Sequence, residues 1–368
     1  MNSLQEIIEN KWIEYQNSQK GKQYPNIMLV GASGAGKSSL INTIFNGNVA
    51  RVSDVRPETR GYFILYKGTD YGKTINLIDT AGYELGQGHT YFDAIHNEII
   101  QREDHDIVHV IWYCLSIANE RIQDMDFDLL RKLMQEENIR KRLCVVFTKC
   151  DRDTPTGDKA QALKSVMKQR LGFEINCFET STDERLLDEL QLKDLIQWSA
   201  SVIDDEDLRK SFIASQMLDL NAKREEAKKI IVAASAAAAA IGAIPIPFSD
   251  APLLVGDQVI MVSKIIDVYG VSSLANISKS LISSTVISQL GKSIAANLMK
   301  AIPIVGQIVG GLVNAGVASA ITGAVGTAVS QICYKNVEKA LRGEYVAWDK
   351  IFDEDFTSLV TDLFNHRK

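Results

Sequence analysis

The sequence predicts two joined parts: an α/β region, a P-loop domain with a mostly parallel sheet and helices on both faces, then an all-α region. Three observations predict this. Residues 25–201 alternate short apolar runs with stretches of helical periodicity, the grammar of βαβ units. The first run, Ile27–Val30, leads into GASGAGKSS, Gly31 to Ser39, and then the helix-like Leu40–Phe45. Between Ile231 and Ile332 the only charged residues are Asp250, Asp257, Lys264, Asp267, Lys279, Lys292 and Lys300.

Residues 1–24 read as an N-terminal amphipathic helix. Leu4, Ile8, Trp12 and Tyr15 share one face with Ile7 beside them, Glu6, Glu9, Gln16 and Lys20 lie opposite, and Gly21 and Pro25 end it. That stripe must be covered, by another part of this chain or by a lipid or partner surface. Glu6 and Glu9 stand where a secretory leader needs basic and then apolar residues. The five cysteines (114, 144, 150, 177 and 333) have no Cys-x-x-Cys spacing. Both features point to a cytoplasmic chain with reduced thiols, without a zinc or disulfide framework. The net charge of −6 argues against a nucleic-acid surface.

Within 25–201, strands are expected at Ile27–Val30, Tyr62–Tyr66, Thr74–Ile78, Ile107–Tyr113, Leu143–Phe147 and Ile175–Phe178. Helices are expected near 38–46, 91–103, 123–138, 158–171 and 186–201. Such sheets bind ligands beyond the carboxyl ends of their strands, where the motifs fall. Gly31, Ala32, Ser33, Gly34, Ala35, Gly36, Lys37, Ser38 and Ser39 form a phosphate-binding loop. Its glycines let the backbone curl around an anion, and the helix beginning near Lys37 adds its dipole. Lys37 brings charge to the outer phosphates, and Ser38 offers a magnesium ligand. Asp79-Thr80-Ala81-Gly82 follows an apolar strand, with Asp79 suited to hold Mg2+ and the Gly82 amide to reach a γ-phosphate. Thr148-Lys149-Cys150-Asp151 decides the base. A carboxylate at 151 accepts from both the ring N–H and the exocyclic amine of guanine, a donor pair adenine lacks. Lys149 is expected over the base and against the phosphate loop. Ser181 and Thr182, in Glu179-Thr180-Ser181-Thr182, follow the last strand and are expected at the base edge. Thr59, after a polar loop and before an apolar strand, is the expected γ-phosphate sensor and third magnesium ligand. The bound groups so implied are GTP or GDP and Mg2+.

Together GASGAGKSSLINTIF, the RPETRGY loop, DTAG, TKCD and ETST resemble an Era/TrmE-type GTPase of the TRAFAC class over about residues 25–200. The resemblance implies hydrolysis of GTP to GDP and phosphate, with nucleotide-dependent switch loops near 48–62 and 80–95. Two positions depart from the pattern. Tyr83 follows DTAG where Ras-like members carry a water-orienting glutamine, and Gly34 stands where potassium-activated relatives carry asparagine. Arg56, three residues before Thr59, has the offset of the built-in arginine of heterotrimeric G-protein α subunits. It reads either as a charge-neutralising catalytic group, beside Lys37, Thr59 and Gly82, or as a solvated loop arginine.

Residues 202–229 read as a charged helical connector, and 230–368 as an Ala- and Gly-rich helical domain. AIPI occurs at 243–246 and again at 301–304. Ala301–Cys333 is uncharged and long enough to cross a bilayer. In it Gly311, Ala315, Ser319, Gly323 and Thr327 recur every fourth residue, a smooth ridge that suits a tight bundle as well as a membrane. The sequence leaves both open. After Tyr334, amphipathic closing helices are expected. Ile244–Gly270 resembles the helical domain of YcjF-like proteins, and the order of leading helix, nucleotide domain and helical domain is similar to that of immunity-related GTPases. These resemblances imply a nucleotide state coupled to the helical domain and self-association as a homodimer or oligomer. They also imply a membrane lipid or membrane protein as partner through residues 230–333. The other reading is a soluble GTP-dependent assembly factor that binds a protein or ribonucleoprotein.

Overall fold

A computed structural model describes residues 4–19, 21–45, 58–60, 63–66, 74–80, 88–102, 107–119, 121–242, 251–271, 315–348, 350–352 and 354–366. The chain divides into two compact units, residues 23–219 and residues 1–22 with 220–368.

The first unit is built on a seven-stranded sheet in the order β2-β3-β4-β1-β5-β6-β7. The strands β1 (Asn26–Val30), β4 (Asn76–Thr80), β5 (Val108–Ser116), β6 (Leu143–Thr148) and β7 (Cys177–Glu179) pair in parallel. An antiparallel edge of β2 (Glu58–Arg60) and β3 (Phe63–Tyr66) completes it. The α/β expectation is met, although the helix expected at 186–201 starts at Leu192 and the last strand at Cys177, and two further differences bear on the site. The strand expected at Tyr62–Tyr66 is the second of a pair, because the polar Glu58–Arg60 adds to its outer edge. β4 and β5 run past their apolar cores to Thr80 and Ser116, so polar residues sit at strand ends.

β1 is buried at every residue, as expected of a strand with neighbours on both sides and helices on both faces. Its alternation divides the interior. Met28 and Val30 enter one core with Ile111 and Tyr113, and Ile27 and Leu29 the other with Val110 and Trp112. The first core is covered by α3 (Gly88–Ile100), α4 (Asp124–Gln135), α5 (Glu137–Arg140) and α6 (Asp158–Leu171). The second is covered by α2 (Lys37–Phe45), α7 (Leu192–Ser201) and α8 (Glu206–Ser215). The stretch expected as a connector, 202–229, is therefore divided between the units. Phe212 of α8 packs edge-on to Phe45 at 6.3 Å, and the Met217 N–H donates to Ile44 O at 2.8 Å, both in the first unit.

The second unit contains α1 (Leu4–Gln19), α9 (Leu220–Gly242), α10 (Ala251–Tyr269), α11 (Ala315–Leu341) and α12 (Glu354–Asn365). α11 packs against α9, α10 and α12, and α1 against α10. Of the stripe on α1, Trp12 and Tyr15 are thus covered from within the chain. Trp12 packs on the helical core, and the buried Tyr15 donates to Asp267 Oδ2 at 2.5 Å. Among the described residues α11 alone is long and apolar enough to cross a membrane, and 61% of that apolar window is buried. Both AIPI segments and Gly311 lie outside the described residues.

Candidate nucleotide site

The site is assembled at the carboxyl ends of β1, β4 and β6 and just after β7. Where β1 ends, Gly31 takes φ +150° close to β5; a Cβ there would lie 2.3 Å from Cys114 O. Gly34 and Gly36 follow with φ +74° and +88°, backbone that L side chains rarely adopt. The Ala35 N–H donates to Ala32 O at 3.1 Å, and α2 begins at Lys37. Lys37 is 7% exposed, and its Nζ donates to Gly31 O at 2.9 Å and Ala32 O at 3.2 Å. Burial pulls its pKa below the ordinary lysine value, with Asp79 and Cys114 opposing.

Asp79, next to last in β4, is also 7% exposed. Its Oδ2 accepts from Ser38 Oγ at 3.3 Å, while Oδ1 has no hydrogen-bond partner. Burial raises its pKa; the Lys37 charge and the Ser38 bond pull it back. Lys37 and Asp79 feel each other's charge without forming an ion pair among the described contacts. A buried carboxylate with one idle oxygen beside a hydroxyl is the hard-oxygen donor set that Mg2+ takes, so these residues fit the ion.

The base-side motif is tied to the same loop. Thr148 Oγ1 donates to Ala35 O at 2.6 Å, and Lys149 Nζ donates to Gly34 O at 2.6 Å. Lys149 is the one described non-glycine residue with positive φ, +60°, a conformation retained where surrounding contacts enforce it. The Thr180 N–H donates to Phe147 O at 2.7 Å, and the Cys150 N–H to Thr180 O at 3.0 Å, joining the TKCD and ETST loops. Buried Ser181 then donates from Oγ to Asp151 Oδ1 at 2.7 Å and accepts from the Asp183 N–H at 3.0 Å. The carboxylate proposed to read guanine is thereby oriented. Thr182 is exposed, as are Ser33 and Ser39.

Residues 26–149 match the family described as 50S ribosome-binding GTPase. This unit is a P-loop GTPase domain. The chain is similar to YkfA of Escherichia coli (strain K12), a protein described as uncharacterized, at 31% identity over 172 residues, 45% of this chain and 56% of YkfA. It is similar to the tRNA modification GTPase MnmE of Chlamydia felis at 39% identity over 82 residues, 22% of this chain and 18% of MnmE. The chain thus spans about half the length of YkfA and less of MnmE. The LeoA bacterial dynamin GTPase from ETEC superposes over 97% of this chain and 70% of its own, at 13% identity and a TM-score of 0.37. A likeness at that score bears no weight for function.

The GTPase domain does not bring every expected residue together. Thr59 is the centre of β2, paired with Ile64, which is itself paired with Asp79. Two strand spacings, about 10 Å, separate its backbone from that of Asp79. The Thr59 side chain, Arg56, Gly82 and Tyr83 lie outside the described residues. Sequence reasoning missed Tyr91, whose hydroxyl meets Thr80 beneath the phosphate loop at 3.0 Å. An aromatic residue on a helix's buried face carries no marker that separates core from site.

Proposed function

We propose that the protein is a Mg2+-dependent GTP-binding hydrolase whose nucleotide state is read out by its helical unit. The observation that carries this reading is a convergence at one end of one sheet. A buried lysine, a hydroxyl beside a half-satisfied buried carboxylate, and a second carboxylate braced by Ser181 meet there. Lys37 exchanges its two carbonyl bonds for oxygens of the outer phosphates, and the loop from Gly31 to Ser39 wraps them. Ser38 and Asp79 are the described residues that would hold Mg2+, which when bound neutralises phosphate charge. Thr59 joins them only when β2 leaves β3, so the β2–β3 pairing is the element expected to answer to the γ-phosphate. Gly82 as a γ-phosphate amide and Arg56 as a charge-neutralising group complete the proposal. Asp151 reads guanine, with Thr148 and Lys149 bracing the loop and Ser181 and Thr182 near the base edge. Water attacks the γ-phosphorus, the bond to the β–γ bridging oxygen breaks, and GDP leaves. The protein's share is positioning and charge stabilisation.

The helical unit carries the state to a second copy of the chain or to a membrane surface. We take α11 there as a core helix of the bundle, since most of its apolar window is buried. Vesicle flotation and light scattering with GTP, GDP and no nucleotide separate the two; flotation in no state removes the membrane arm.

The base assignment is tested by Asp151→Asn. Asparagine still accepts from the ring N–H, but its amide faces the guanine amine donor to donor and instead suits the 2-oxo group of xanthine. GTP affinity is expected to fall about a hundredfold or more while xanthosine triphosphate gains. Calorimetry in which the wild type prefers ATP, or the variant keeps its preference for GTP, overturns the reading.

A further inference from the structure

Tyr91 lies in the first turn of α3, fully buried, and no step of the proposed hydrolysis uses it. Its hydroxyl donates to Thr80 Oγ1 at 3.0 Å, and Thr80 Oγ1 donates to Leu29 O at 2.8 Å. Leu29 is the register partner of Asp79, so this chain of bonds crosses β1 and β4 at the rung that carries the carboxylate, one residue short of the phosphate loop. A phenylalanine and a valine would fill the same space without polar atoms to desolvate. Two buried hydroxyls there serve position rather than packing.

We propose that Tyr91 is a positioning residue of the phosphate site, its hydroxyl fixing the Thr80 hydroxyl in the orientation that donates to Leu29 O and so holds the end of β4 to the end of β1. The inference rests on the GTPase reading above. With that bond intact, Asp79 and the first turn of the loop keep a fixed separation in which a divalent ion and the outer phosphates fit. Without it the base reader Asp151, braced by Ser181, is unaffected.

The test uses the full chain with Tyr91→Phe, which keeps the ring. Affinity for a non-hydrolysable fluorescent GTP analogue is measured in millimolar Mg2+ and in EDTA, together with the thermal midpoint. The expected result is affinity within about twofold of wild type in EDTA and about five- to tenfold weaker in Mg2+, the scale of one lost buried hydrogen bond. Thr80→Val should reproduce the shift, and the double variant should be no worse than either single one. Equal weakening in both buffers in step with a lower midpoint, no weakening, or additive effects overturn the positioning role. Should Tyr91→Phe fail to fold, Thr80→Val alone decides by the same ratio. A wild-type protein whose affinity gains nothing from Mg2+ overturns the metal reading and this inference together, an outcome visible before any variant is compared.

Discussion

Each unit buries a lysine. Lys223 of the helical unit is 0% exposed, and its Nζ donates to Val268 O at 2.9 Å, a carbonyl in the last turn of α10. It caps a helix end whose carbonyls lack intrahelical donors. Lys37 also donates to backbone carbonyls, yet its surroundings are unfinished. Asp79 Oδ1 is idle beside it, and a Cβ at Gly34 would meet nothing within 4 Å. Glu226, in mid-helix near Lys223, also has an oxygen without a partner, but its other oxygen pairs with Lys229 at 3.0 Å on the same helix. What separates a site from a core in this chain is therefore the combination of a buried charge, an unmet acceptor and room beside both.

The largest expected effect breaks that contrast if it fails. Lys37→Met should weaken GTP binding about a hundredfold or more, since charge-assisted bonds to phosphate are lost. On the empty protein it should change how stability depends on pH. Burial depresses the Lys37 pKa, so between that depressed value and the ordinary one the unfolded chain binds the proton more tightly. The ligand-free wild type gains stability as pH rises through this window and carries the whole penalty below it. Lys37→Met should abolish that rise, while the Gly31 and Ala32 carbonyls that lose the ammonium cost stability without nucleotide. Lys223→Met should destabilise by about 1–3 kcal/mol through the unpaired Val268 carbonyl while GTP affinity stays unchanged. Urea denaturation and calorimetry on both variants check this. Weakened nucleotide binding in Lys223→Met would mean the helical lysine is not merely structural.

The glycines sharpen the same comparison at smaller magnitude. An alanine at Gly31 meets the backbone oxygen of Cys114 at 2.3 Å, and no side chain can move to relieve it. Gly31→Ala should therefore destabilise by about 3 kcal/mol or more, with nucleotide binding lost in parallel. An alanine at Gly326 of α11 meets Ile231 Cγ1 at 2.7 Å and Met261 Sδ at 3.0 Å, both on side chains that can shift. Helix propensity returns about 1 kcal/mol, leaving a net loss of about 1 kcal/mol or less and unchanged GTP affinity. Thermal midpoints with and without GTP read both; a Gly31→Ala protein as stable as wild type would sink the close-approach argument.

What was legible in the sequence follows the same division. The phosphate loop could be read because its requirements are local: three glycines at positions of positive φ, a lysine and a serine in one turn. Asp151 was readable as a motif, but its brace by Ser181 joins residues 30 apart and becomes geometry only once β6 and β7 pair. The separate strand β2 was missed because Glu58, Thr59 and Arg60 lack apolar alternation and owe their extended form to β3. Lys223 and Glu226 lie in LNAKREEAKK, a run read as part of a charged connector, yet both are buried. Periodicity gives an apolar stripe on α1 but not its cover, since Tyr15 and Asp267 are 252 residues apart.

That last contact gives the smallest prediction. Tyr15 is buried, and its hydroxyl is held in the neutral form by burial and by the neighbouring Asp267 charge, so it donates at every working pH. Tyr15→Phe removes one donor and keeps the ring. Asp267 retains another interaction, so the change does not strand a bare carboxylate. The loss should be that of a single bond to a charged group, about 1 kcal/mol. It should fall on α1, whose docking on α10 includes this bond, and should appear as faster proteolysis of the first twenty or so residues, the length of the helix α1. GTP affinity and turnover should not move, because the bond lies within the helical unit. A change in either, at unchanged thermal midpoint, would make α1 part of the nucleotide response rather than a strap on the helical core.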